Sequence, residues 1–196
     1  MSMWKSTLLS LTLITCSTAV MAINGDKLPS KKQTELKLYL TASEAHELVT
    51  KNTKDTLFLD IRTRAEINFL GMPSNADANI PYFTPDAWET FDSKKKVYKL
   101  APNSNFLTAV EERLQAKGLS KDSTIVLMCR SGSRSAKAAN LMKKAGYNKV
   151  YTIVDGYEGD KSKAAKTKGQ RVVNGWKNSD LPWSYKLDQN KMYKEM

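Results

Sequence analysis

Four apolar residues, Ile125-Val126-Leu127-Met128, run without a break into Cys129-Arg130-Ser131-Gly132-Ser133-Arg134-Ser135, and a helical pattern then continues to Ala145. So short and complete an apolar run reads as a strand covered on both faces. A strand that passes through a tight Gly-containing loop into a helix belongs in a parallel sheet, where each crossover needs a helix. The alternation recurs along the chain. Thr56 to Ile61 is a second buried strand, and Lys149 to Val154 a third. Thr41-Ala42-Ser43-Glu44 is a capping box that opens a helix with Ala45, Leu48 and Val49 on one face. Ser104 is the expected cap of another, in which Phe106, Leu107, Val110 and Leu114 share a face and Gly118 is the stop. Asn79 to Phe83 reads as a short edge strand because of Pro81. The pattern predicts an α/β domain with helices on both faces of a parallel sheet.

The N-terminus is set apart by composition. Lys5 precedes an almost uncharged stretch, Leu8 to Val20, which ends in Val20-Met21-Ala22. This is the layout of a secretory signal cut after Ala22. The apolar stretch is shorter than the roughly 20 residues of a spanning helix. Residues 1–22 are therefore expected to leave, and 23–37 to form a flexible lead-in to a domain over 38–186, with a tail over 187–196. The mature chain of 174 residues is long enough for one core and should be soluble, periplasmic or secreted, with no stable membrane insertion. Loss of Lys5 leaves 30 basic against 20 acidic residues, a formal charge of +10. That balance favours small anions or an acidic protein partner; export argues against nucleic acid. Cys16 leaves with the signal, so Cys129 has no internal disulfide partner.

Cys129 sits where ligands collect in open parallel sheets, at the carboxyl end of a strand. Gly132 permits positive φ and close backbone approach. Amides curling into the helix start form an anion nest, and Arg130 and Arg134 add positive charge. All three effects favour a nucleophilic thiolate. A Cys that merely finished a core strand would not explain two arginines, three serines and a glycine in the next six residues.

This loop resembles the active-site loop of rhodaneses, which begins with the persulfide-forming Cys and cradles an oxyanion. Asp60-Ile61-Arg62-Thr63-Arg64-Ala65-Glu66 resembles the family's Asp-x-Arg segment with its following acidic residue. Asn79-Ile80-Pro81, Asp155-Gly156-Tyr157, Gly175-Trp176 and Leu181-Pro182-Trp183 resemble further family segments. The resemblance covers roughly residues 38 to 186. It implies a single rhodanese-like domain with about five parallel strands. It also implies transfer of sulfane sulfur from a small anionic donor such as thiosulfate to cyanide or a thiol, through a persulfide on Cys129. Arg130 and Arg134 would then hold the departing oxyanion, the amides of Ser131, Gly132, Ser133, Arg134 and Ser135 the persulfide sulfur, and Asp60 and Arg62 would support the loop. The chain departs from the family pattern at Gly71-Met72-Pro73-Ser74-Asn75-Ala76, which lacks the usual His. It departs again in a long Lys-rich loop before Asn103, and in the Lys-rich segment 160–171.

Two other classes compete. Cysteine phosphatases and arsenate reductases place five residues between Cys and the oxyanion Arg, whereas four separate Cys129 from Arg134. A persulfide carrier would use the segment 160–171, read as a solvated loop, to dock an acidic protein partner. No metal or cofactor is implied: His46 is the only histidine, expected at a helix surface or boundary, and no nucleotide motif is present. Secreted material should begin at Ile23 on N-terminal sequencing; retention of Met1, or a lipid on Cys16, would replace the soluble product with a tethered one.

Overall fold

The computed structural model describes residues 23–85, 90–94 and 96–194; the expected signal segment lies outside them. The central sheet has five parallel strands: β1 (Tyr39–Leu40), β2 (Thr56–Asp60), β3 (Ala78–Asn79), β4 (Thr124–Met128) and β5 (Val150–Ile153). Their order is β1-β5-β4-β2-β3. Strands β2 and β4 are paired along their whole length, from Thr56 with Thr124 to Asp60 with Met128. Among the described residues four α-helices accompany them: α1 (Ala42–Lys51), α2 (Arg64–Leu70), α3 (Phe106–Ala116) and α4 (Ser133–Lys144).

Side chains on a strand alternate between faces, and here they feed two cores. Leu57, Leu59, Ile125 and Leu127 meet α3 through Val110 and Leu114, and α4 through Ala138 and Met142. Phe58, Val126 and Met128 point the other way, onto Ala45 and Val49 of α1, Ile67 of α2, and Trp176. The uninterrupted apolar runs of β2 and β4 are thus explained by burial on both sides.

Most boundaries follow local chemistry. Thr41 and Glu44 form the expected capping box of α1, with Glu44 N on Thr41 Oγ1 and Thr41 N on Glu44 Oε2 at 2.7 Å. Helices α3 and α4 end alike: Leu119 N returns to Leu114 O, and Tyr147 N to Met142 O, past Gly118 and Gly146 at positive φ. Ser104 does not cap α3. Asn103 does that work, its carbonyl accepting from Phe106 N and its side chain from Asn105 N. The edge position of Asn79 holds, but only Ala78 and Asn79 join the sheet.

The two ends of the described chain are less open than their composition suggests. Residues 23–37 make two 3-10 turns, and Lys32 is buried, donating to Asp160 at 2.8 Å. At the other end Arg113 donates to Asn190 O and Met192 O, and Tyr193 enters the α3/α4 core. No local pattern shows this, because each partner lies far away in sequence. Trp176, in a 3-10 turn, packs at 5.2 Å between ring centroids on Phe58; half-buried His46 meets it edge-on. No helix among the described residues is long and apolar enough to cross a membrane. Tyr193→Ala should cost about 3 kcal/mol, the scale for emptying a buried aromatic site, read as a fall in the urea midpoint. An unchanged midpoint would return residues 187–196 to the status of a tail.

Candidate active site

Cys129 follows β4 directly, and its side chain is on the α3/α4 side of the sheet with 1% exposure. The loop turns at Gly132, whose φ of +93° no L side chain adopts comfortably. A Cβ there would lie 2.3 Å from Val154 O. The turn brings the amides of Gly132 and Ser135 to Cys129 Sγ, at 3.2 and 3.4 Å. As a thiol, Cys129 donates to Ser135 Oγ at 3.6 Å, while that buried hydroxyl donates to Gly132 O at 2.9 Å. Ser133 and Arg134 open the first turn of α4, and their amides have no protein acceptor among the described residues. The sulfur therefore lies inside an arc of N–H groups at the positive end of a twelve-residue helix.

A second loop clasps the first. After β5 the chain turns through Gly156, at φ +64° and with its Cα so close that a Cβ would come within 2.5 Å of Cys129 O. Tyr157 N then donates to Cys129 O at 2.8 Å, and Glu158 N to Arg130 O at 3.0 Å. Asp155 anchors this loop by accepting from Ala42 N and Gly175 N.

Asp60 and Arg62 are fully buried and paired at 2.6 Å. Arg62 also donates to Gly71 O and lies 3.7 Å above the Tyr157 ring, while its third nitrogen, NH1, has no partner among the described residues. Asn79 donates to the carbonyls of Asp60 and Arg62. These residues brace the Cys loop through Tyr157 and do not reach the sulfur.

Arg134 differs from its expected state. Its guanidinium is bound in bidentate fashion by Glu66, at 2.6 and 2.5 Å, so its charge is already balanced. Glu66 also closes a second capping box, with Thr63, at the start of α2. The pattern Thr63-x-x-Glu66 could have been read from sequence; the ion pair across 68 residues could not. Burial alone would raise the Glu66 pKa. The hydrogen bonds and charge of Arg134, then the Thr63 amide and Arg62, overcome this and hold it at about 2.

Arg130 is exposed, Ser131 and Ser133 are half-buried, and Ser135 is buried. Arg130, Ser133 and Arg134 form one wall of a cleft of about 640 Å³, faced by Phe83, Tyr98 and Lys99. The facing wall is the Lys-rich insertion before Asn103, which folds into two short antiparallel ladders, Phe83–Thr84 with Ala101–Pro102 and Phe91–Asp92 with Val97–Tyr98. No group of three or more metal-ligating side chains occurs among the described residues.

A family model, the rhodanese-like domain, matches residues 41–163. The chain belongs to the rhodanese-like family. An uncharacterised Rickettsia conorii protein is 31% identical over 147 residues, covering 74% of this chain and 96% of that one. An uncharacterised protein of Rickettsia prowazekii is 28% identical over 152 residues. The crystal structure of Rv0390 from M. tuberculosis superposes with a TM-score of 0.51 at 25% identity, over 76% of this chain and 97% of that one. The fold is the rhodanese fold, and the rhodanese-like domain supports a role of the sulfurtransferase type.

The Glu66–Arg134 pair also sets an acid response. A carboxylate depressed in the folded state contributes stability above its unfolded pKa and loses it as pH falls through the folded value. Glu66→Gln should therefore destabilise the protein at neutral pH, by on the order of 3 kcal/mol. The gap to wild type should narrow between about pH 4.5 and pH 2. Urea midpoints across that range test this; a gap independent of pH would mean that the pair carries no linkage.

Proposed function

We propose that this chain moves sulfane sulfur from a donor such as thiosulfate to cyanide or a thiol, through a persulfide on Cys129. One observation carries the reading. Cys129 Sγ is the acceptor of two loop amides at a helix start, where a thiolate and then a persulfide anion are stabilised. In the first step the thiolate attacks the outer sulfur of thiosulfate; the S–S bond breaks, and its electron pair leaves with sulfite. In the second the acceptor attacks the outer sulfur of the persulfide, and the Cys129 thiolate returns. No proton transfer is needed when cyanide is the acceptor. Arg130 faces the leaving oxyanion, while the amides of Ser131 to Ser135 hold the transferred sulfur. Asp60 and Arg62 keep the loop in place through Tyr157.

The second reading is a persulfide carrier for an acidic protein partner. It is favoured by the exposed side chains of Lys161, Lys163, Lys166 and Lys168 on one loop. We place the protein outside the cytoplasm on the strength of its N-terminal segment, with no cofactor.

Thiosulfate should add one sulfur, about 32 Da, to Cys129 by the covalent route of an activated thiol, seen as intact mass, and cyanide should remove it as thiocyanate. Cys129→Ser should do neither. Labile sulfur on that variant, or thiocyanate formed by it, would move the chemistry elsewhere.

A further inference from the structure

The insertion between Pro81 and Asn103 is rooted in the core and carries an apolar hairpin. At the root Asn103 N donates to Tyr82 O at 3.0 Å, and its side chain donates to Pro81 O at 2.9 Å. The Tyr82 ring meets Phe106 of α3 edge-on at 5.2 Å and Phe83 at 4.8 Å. Further out, Phe91 and Tyr98 face each other across the second ladder with ring centroids 5.2 Å apart, and Lys99 N donates to Thr90 O. Tyr98 is 64% exposed, and Phe91 and Val97 are each 50% exposed. Three of the eight exposed large hydrophobic side chains among the described residues thus stand on one hairpin. Scattered exposed apolar residues are ordinary, whereas a cluster beside a site marks a binding surface.

This cluster is turned to the Cys loop. Phe83, Val97, Tyr98 and Leu100 line the cleft whose other wall is Arg130, Ser133 and Arg134. The Glu66–Arg134 pair lines it too, and its charges are already matched, so that part of the cleft does not demand an ion. The volume, about 640 Å³, falls within the roughly 300–1,000 Å³ of pockets that bury drug-sized organic molecules. Thiosulfate and cyanide have no apolar part with which to cover these side chains.

We propose that the cleft seats the apolar body of an organic thiol acceptor, and that Phe83, Val97 and Tyr98 of the inserted segment select it over small inorganic acceptors. The reaction assigned to that thiol rests on the sulfurtransferase reading; the apolar seat does not. The acceptor thiolate attacks the outer sulfur of the Cys129 persulfide. A new S–S bond forms as the bond to Cys129 breaks, its electron pair returns to Cys129 Sγ, and an organic persulfide leaves.

Two pairs of reagents, each differing by an added aromatic group, test the cleft without and with sulfur transfer. Iodoacetamide and N-benzyliodoacetamide alkylate Cys129, with rates divided by those on N-acetylcysteine. Ethanethiol and 2-phenylethanethiol discharge the thiosulfate-loaded protein, followed by intact mass. Wild type should favour the aromatic member of each pair roughly tenfold. Both preferences should be lost in Val97→Thr/Tyr98→Thr. They should persist in Tyr98→Phe, and in Phe69→Ser, which removes an exposed aromatic outside the cleft. All variants are compared at the urea midpoint of wild type. Absence of a preference in wild type overturns the proposal, as does a preference that V97T/Y98T keeps. Equal loss in Phe69→Ser overturns it as general adhesion, and loss in Tyr98→Phe assigns the effect to the hydroxyl. If reduced thioredoxin discharges the loaded protein faster than either small thiol, and V97T/Y98T abolishes that advantage, the hairpin serves a protein partner and the proposal falls. A preference in alkylation with none in discharge rejects the acceptor. A preference in alkylation by a protein that thiosulfate never loads keeps the apolar seat and rejects the sulfur-transfer reading.

Discussion

The buried contact between Arg62 and Tyr157 joins the parts that make this site. Arg62 follows β2 with its guanidinium bound to Asp60 and Gly71 O, 3.7 Å above the Tyr157 ring. Tyr157 in turn donates its amide to Cys129 O and its hydroxyl to Leu70 O. One cation therefore ties together the end of β2, the end of α2 and both loops around the sulfur. Such a pair is costly to desolvate, and removal of one partner from a buried pair costs roughly 3–5 kcal/mol. Its value here is geometric: it fixes the floor on which the Cys loop rests.

With that floor in place, the donors that reach Cys129 Sγ come from the backbone. Gly132 and Gly156 each approach a neighbouring strand or loop too closely for a Cβ, and the turn at Gly132 brings two N–H groups onto one sulfur. Backbone donors need no reorganisation when a charge appears. The two loop arginines, chemically alike in the sequence, play different parts. Glu66 neutralises Arg134 and makes it a strut between α2 and α4, and Arg130 remains turned to the cleft. The ladders around Phe83 and Tyr98 form the opposite wall of that cleft.

The strands β2 and β4 were legible because residues buried on both faces form apolar runs, and helices α1 and α3 because their faces repeat at 3.6 residues; α2 was not anticipated. The turn around Cys129 was legible because no packing role accounts for the Arg, Ser and Gly that follow it. Residues such as Lys32, Glu66 and Tyr193 were not, since their partners lie 128, 68 and 90 residues away. Ser104 misled for a local reason: Asn103 supplies both a carbonyl and a side-chain oxygen to the start of α3, so a hydroxyl is not required there.

The sequence by itself determined the class of fold, the strand–loop–helix that carries Cys129, and the kind of donor that surrounds it. These are short-range matters, governed by burial, periodicity and the φ freedom of glycine. Tertiary structure alone decided which cations keep their charge available. A guanidinium is the same group wherever it stands, and whether it meets a carboxylate or an open cleft depends on chain segments that only folding brings together. That is why Arg134 became a strut between α2 and α4, while Arg130 stayed exposed.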